Sequence, residues 1–185
     1  MKYFLKSTAV IIVLISIITF TACGVITESA VKKKIFDKYS SAKGYACEVT
    51  VFDSKDTEVT TAYIEITDDD LSFEIKSPAV IRGIKFLKQG TDFSVKYYDL
   101  TVDMNFIPQS IKPLLSILPA AFIGKEMALN SQIMSNDTEY NIEYSDPAKS
   151  LSFTFDKDSY ALTDSKIIMD SVEYRFKFKD FIFMD

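Results

Sequence analysis

The sequence predicts an α+β fold in which one N-terminal helix precedes a strongly curved antiparallel sheet of roughly nine or ten strands, with a short hydrophobic helical insert on the concave side. Three observations carry this reading. Val31, Ile35, Phe36 and Tyr39 recur at helical spacing. From Tyr45 onward, apolar and polar residues alternate in segment after segment, the period of a strand with one buried face. The stretch "KPLLSILPAAFIG", residues 112–124, interrupts that alternation with an almost unbroken apolar run.

The chain opens "MKYFLKSTAVIIVLISIITFTACG": Lys2 and Lys6 make a short positive region, Ala9 to Phe20 an apolar core, and Thr21-Ala22 a small-residue stretch before Cys23. That is an export signal. Its apolar run is shorter than the roughly 20 residues that cross about 30 Å of hydrocarbon. "FTAC" resembles the lipobox of bacterial lipoproteins, with Phe20 where that motif usually has Leu. The resemblance implies cleavage of residues 1–22, a diacylglyceryl group on Cys23, a tether over 23–31 and one domain over 32–185. Two acyl chains hold a protein stably on a membrane where one is marginal, so the expected location is the outer face of the cell membrane or an outer membrane. The other reading is ordinary signal cleavage, leaving Cys23 a free thiol and a Cys23–Cys47 bridge open. The whole chain carries a net charge of −5, and losing Lys2 and Lys6 makes it more acidic. This argues against a nucleic-acid partner and against a basic grip on anionic lipid.

Thr27 or Ser29 can cap the helix, which the pattern ends near Gly44. Lys32, Lys33 and Lys34 read as its solvated face. In "YACEVTVFD", Tyr45, Cys47, Val49 and Val51 share one strand face; in "TAYIEIT", Ile64 and Ile66 do; in "LSFEIKSP", Leu71, Phe73 and Ile75 do. Pro78 ends the third strand because it cannot donate to a ladder. "VIRGIKFLKQ" and "TDFSVKYYDLTVDMNF" form a hairpin joined at Gln89-Gly90. Pro108, Pro113 and Pro119 forbid one long helix in the insert, so two short turns are expected, the first capped by Ser110. Alternation resumes in "EYNIEYSD", "SLSFTFD", "ALTDSKIIM" and "SVEYRFKFKDFIFMD". In the last of these, Phe181 and Phe183 have the opposite parity to Phe176 and Phe178. Either a bulge near Asp180 restores the register or both faces are buried there, and the bulge is the better account.

An insert apolar on most sides needs covering, and the apolar face of a curling sheet is the matching surface. The order of helix, three strands with "LSFEIKSP", then "GIKFLKQGTDFSVKYYDL", a hydrophobic insert and a final set of strands resembles the LolA/LolB/LppX-type lipoprotein-carrier fold. That resemblance implies an incomplete barrel holding acyl chains or lipids under a helical lid. The expected cavity residues are Phe73, Ile75, Phe86, Phe93, Val95, Phe153 and Phe155, and the expected lid is Leu114, Leu115, Leu118, Phe122 and Ile123. In the family's lipoprotein chaperone an arginine six residues before the proline faces the cavity; here that position is Ser72, and Gln89 replaces the usual turn aspartate. The chain is also similar to spore-germination lipoproteins of this fold, which act through protein contacts. The alternative function is therefore a tethered scaffold whose cavity is filled by its own side chains and which contacts an envelope protein partner.

Chemistry is sparse. The chain has no histidine and five glycines, none in a phosphate-binding loop. Asp68 to Asp70, and Asp156 with Asp158, read as turn residues; Asn136-Asp137-Thr138 reads as a loop; Cys47 reads as a small buried hydrophobe. The expectation is a non-enzymatic protein with no catalytic residue, no metal and no cofactor.

Overall fold

The computed structural model describes residues 27–67, 70–104, 131–145, 147, 149–169 and 171–184. Cys23, the expected lid residues Leu114, Leu115, Leu118, Phe122 and Ile123, and Asp68 lie outside the described residues. All strands belong to one compact unit, Lys32–Asp185.

Helix α1 spans Glu28–Ser41. Thr27 caps it: its hydroxyl accepts from the Ala30 N–H at 3.4 Å and its carbonyl from the Ala30 and Val31 N–H groups, so first-turn donors are satisfied locally. The strands follow as β1 (Gly44–Phe52), β2 (Glu58–Thr67), β3 (Asp70–Ser77), β4 (Lys85–Gln89), β5 (Asp92–Tyr97), β6 (Leu100–Met104), β7 (Gln132–Ser135), β8 (Glu139–Ser145), β9 (Lys149–Asp156), β10 (Leu162–Met169) and β11 (Val172–Met184). They form one curved antiparallel sheet in the order β6-β5-β4-β3-β2-β1-β11-β10-β9-β8-β7. Its two ends, β6 and β7, do not pair with each other among the described residues, so the half-barrel is open.

There are eleven strands where the alternation suggested nine or ten. "TDFSVKYYDLTVDMNF" looks continuous but turns at Tyr98-Asp99 into β5 and β6, because Tyr98 takes a φ of +52° that no pattern of hydrophobicity reveals. Strand β7 is four residues long, too short for a period-two signal. Val80 and Ile81 belong to a short 3₁₀ turn, Ala79–Ile81, and β4 begins only at Lys85.

One face of the sheet carries the core. Ile64 pairs with Phe73, Phe73 with Phe86, and Val51 with Phe176; on the far side of β11, Ser165 lies between Phe176 and Phe153. Tyr39 of α1 seals one part of this inner face. Its ring meets those of Tyr45, Phe155, Phe181 and Phe183 edge-on at centroid separations of 5.0 to 6.0 Å, and its hydroxyl accepts the buried Leu162 N–H at 2.9 Å. Burial pushes the Tyr39 phenol well above its usual pKa, so it stays neutral.

The bulge expected near Asp180 is present. Val49 pairs with Phe178 and Tyr45 with Phe183, with the register shifting between Ala46 and Glu48, and Asp180 has φ +52°. The extra residue turns Phe181 and Phe183 onto the inner face, where Phe181 stacks on Tyr45 at 5.4 Å. The tightest backbone approach is at Gly44, where an added Cβ would sit 2.1 Å from the Ile66 carbonyl oxygen. Gly44→Ala must therefore push two paired strands apart, and should lower unfolding stability by roughly 1–3 kcal/mol in urea denaturation; an unchanged midpoint would contradict this close approach.

Candidate functional site

The open end of the sheet, where β1 turns into β2 and β3 into β4, encloses a cavity of about 810 Å³. Its apolar lining comes from Val51 of β1, Phe73 and Ile75 of β3, Phe86 of β4 and Phe176 of β11. Strand alternation points all five to the same face. The β3–β4 connection walls one side with Pro78 and Ile84. That wall is pinned: the Ile75 N–H donates to the Ile84 carbonyl at 2.9 Å, the Gly83 N–H to the Ile75 carbonyl at 2.8 Å, and Arg82 Nε to the Lys76 carbonyl at 2.9 Å. Gly83 has φ +85°, a conformation that favours glycine.

The polar groups of the lining are largely engaged. Asp53 accepts the backbone N–H groups of Lys55 and Thr57 at 2.9 Å each, which holds its carboxyl below the usual pKa. Glu173 pairs with Lys166 at 2.9 Å, and the Thr60 hydroxyl donates to the Ser77 carbonyl at 2.5 Å. What remains for an occupant is apolar surface and shape. A volume within the roughly 300–1,000 Å³ of small-ligand pockets, lined this way, suits an apolar molecule without directional groups.

Of the seven cavity residues expected from the sequence, Phe73, Ile75 and Phe86 line this space. Phe93 is buried on β5 beside Lys88 and Met104, and Val95 sits between Phe86 and Val102. Phe153 and Phe155 are buried on β9, the latter against Tyr39, in the part of the inner face that the helix fills. The sequence reading missed Val51, Ile84 and Phe176 as lining residues. The parity of β1 and β11 places Val51 and Phe176 on the inner face, but the β1–β11 pairing that brings them together has no local signal. Ser72, which alternates with Phe73 and pairs across to Glu65 and Leu87, is on the outer face.

Ser165 is the buried exception. It is 1% exposed, and its hydroxyl has no hydrogen-bond partner among the described residues. Ser165→Ala removes an unsatisfied polar atom and should raise stability by about 1 kcal/mol; a loss in urea unfolding would show that the hydroxyl is satisfied after all. Cys47 is 2% exposed and burial pushes its thiol up to about 12, so native protein should resist thiol reagents at mildly alkaline pH and react once unfolded in guanidinium. Fast labelling of the folded chain at Cys47 would refute that burial. Among the described residues no group of three His, Cys, Asp or Glu side chains could hold a metal ion, and no helix is long and apolar enough to cross a membrane.

Neither a protein-family model nor a curated protein sequence matches this chain. Solved structures do. An uncharacterized conserved protein from Thermus thermophilus aligns at TM-score 0.51 and 9% identity over 83% of this chain and 87% of its own. MucB aligns at TM-score 0.51 and 9% identity over 84% of this chain; the aligned region spans 59% of MucB. The Mycobacterium tuberculosis lipoprotein LppX aligns at TM-score 0.49 and 16% identity over 84% of this chain and 96% of its own. Identities this low speak for the fold alone. The alignments to the Thermus thermophilus protein and MucB show a shared fold, and the activity of this chain has to be argued from its own residues.

Proposed function

We propose that this protein is an exported lipoprotein, anchored to a membrane through Cys23, that holds a lipid or another apolar ligand in the cavity between β1, β3, β4 and β11. The observation that carries this reading is an apolar space of about 810 Å³ whose charged neighbours are tied up by other groups. Apolar side chains left accessible along such a space, Val59, Val172 and the half-buried Phe86 among them, are costly unless they are used. An acyl chain seating ten or so methylenes would gain roughly 8 kcal/mol gross at about 0.8 kcal/mol per methylene. Ordering the ligand offsets part of that. Specificity would then be for chain length and shape more than for a headgroup.

The test is native mass spectrometry of the mature protein purified from bacterial membranes. An apolar adduct lost on denaturation is expected, and Phe86→Arg, which places a charge in the half-buried lining, should abolish it while leaving the fold's circular dichroism unchanged. A bare wild-type chain that also ignores added fatty acids and phospholipids would sink the ligand reading and favour a scaffold acting through protein contacts.

A further inference from the structure

Antiparallel connectivity puts the β1–β2, β3–β4, β5–β6 and β10–β11 turns at one end of the sheet, the end where the cavity opens. Exposed hydrophobic side chains gather there. Of the eleven large ones exposed among the described residues, six belong to this end: Val80 (84% exposed), Tyr98 (78%), Leu100 (65%), Val59, Val172 and Tyr97. At the opposite end two are of this kind, Met134 and Ile182. Tyr98 is the sharpest case. It holds a left-handed backbone conformation that sterics reserve mainly for Gly, Asn and Asp, yet the position carries a large ring, packed at 4.5 Å on Tyr97 and turned out to solvent. Strain accepted at an exposed aromatic points to use of that aromatic.

The chain enters this unit at the same end. Lys32 Nζ donates to the Ser131 carbonyl, one residue before β7, whose first residue pairs with Glu143 near the end of β8. From there α1 runs along the inner face to Tyr39, whose hydroxyl holds Leu162 at the opposite end. Cys23 lies nine residues before Lys32, and because Glu28–Val31 already belong to α1 the span is at most about 25 Å. Strands of eight to ten residues are themselves roughly 30 Å long. A tether of that length lays the cavity end on a membrane easily, whereas laying the opposite end there would exceed its extension.

We propose that the cavity end is a bilayer-docking surface, with Val80, Tyr98 and Leu100 seated at the boundary of headgroups and acyl chains, so that the cavity opens toward the lipid. Tyrosine suits that boundary, having an apolar ring and a polar tip. Acidic and basic side chains are mixed at this end, with Asp53, Asp99 and Glu173 beside Arg82 and Lys96, so docking draws on apolar contact and is nearly independent of salt and of anionic lipid. The inference rests on the anchor at Cys23.

The chain has no tryptophan, so a single introduced indole reports its own surroundings. Full-length protein carrying Tyr98→Trp, Leu100→Trp or Ile182→Trp would be processed in a bacterial host, purified in detergent and reconstituted into phosphatidylcholine vesicles, with the intact mass reading acylation of Cys23. The expected result is an acylated protein in which Y98W and L100W emission shifts to the blue and is quenched severalfold more by brominated phosphatidylcholine than that of I182W, at low and high salt alike. Acylated protein with all three indoles equally exposed to water, or with I182W the more quenched, overturns the docking surface and leaves the anchor standing. An unacylated mass overturns the anchor and the docking surface together, while the cavity's ligand remains readable by native mass spectrometry.

Discussion

The pairing of β1 with β11 is the constraint on which the rest depends. β1 to β6 make one half of the sheet and β7 to β11 the other, and among the described residues these two strands join the halves. Because side chains alternate along a strand, one missing or extra residue in this join would invert every inner residue of half the sheet. The bulge at Asp180 meets that problem locally. It lets Phe176 and Phe178 face inward beside Val51 and Val49, and then returns Phe181 and Phe183 to the same face beside Tyr45. Without it, two aromatic rings would point to water and Tyr39 would lose two of its four ring partners.

The inner face is thereby divided into a filled part and an open part, and the division follows from where α1 lies. Tyr39 and Ile35 are buried against the strands at one end, with Lys38 over the ring of Phe183 at 4.7 Å. Leu151, Phe153 and Phe155 behave there as ordinary core. Phe73 and Ile75 are buried as well, but together with the half-buried Phe86 they border the space between β1, β3, β4 and β11. The same residue types, on the same parity, thus become packing in one place and cavity wall in another.

The outer face adds little to either. Its ion pairs are at least partly solvated: Arg175 bridges Asp56 at 2.9 Å and Asp164 at 3.4 Å, with Asp56 64% exposed, and such pairs are worth at most about 1 kcal/mol. Burial raises the Asp164 carboxyl above its usual pKa, and the nearby Arg175 opposes that only in part. The hydrophobic inner face therefore dominates, which is why a half-barrel without internal disulfides can hold an open end at all.

The sequence by itself determined the elements whose signal is local. Period-two alternation identified nearly every strand of five residues or more, helical spacing identified α1 with Thr27 or Ser29 as its cap, Pro78 marked the end of β3, and the parity break at Phe181 marked the bulge. The proposal of export and of an anchor at Cys23 likewise rests on motif alone. The sequence could not show that the run from Thr91 to Met104 folds back on itself at Tyr98, because a positive φ leaves no hydrophobic pattern, or that four residues at Gln132 make a strand. Nor could it sort Phe73, Ile75 and Phe86 from Phe153 and Phe155. All five have inward parity, and Phe73 is as buried as Phe153; which of them border the cavity is set by the pairing of strands distant in sequence. Val51 and Phe176 joined the cavity for the same reason: their neighbours were set by the β1–β11 pairing, and a pairing across the chain is a tertiary fact.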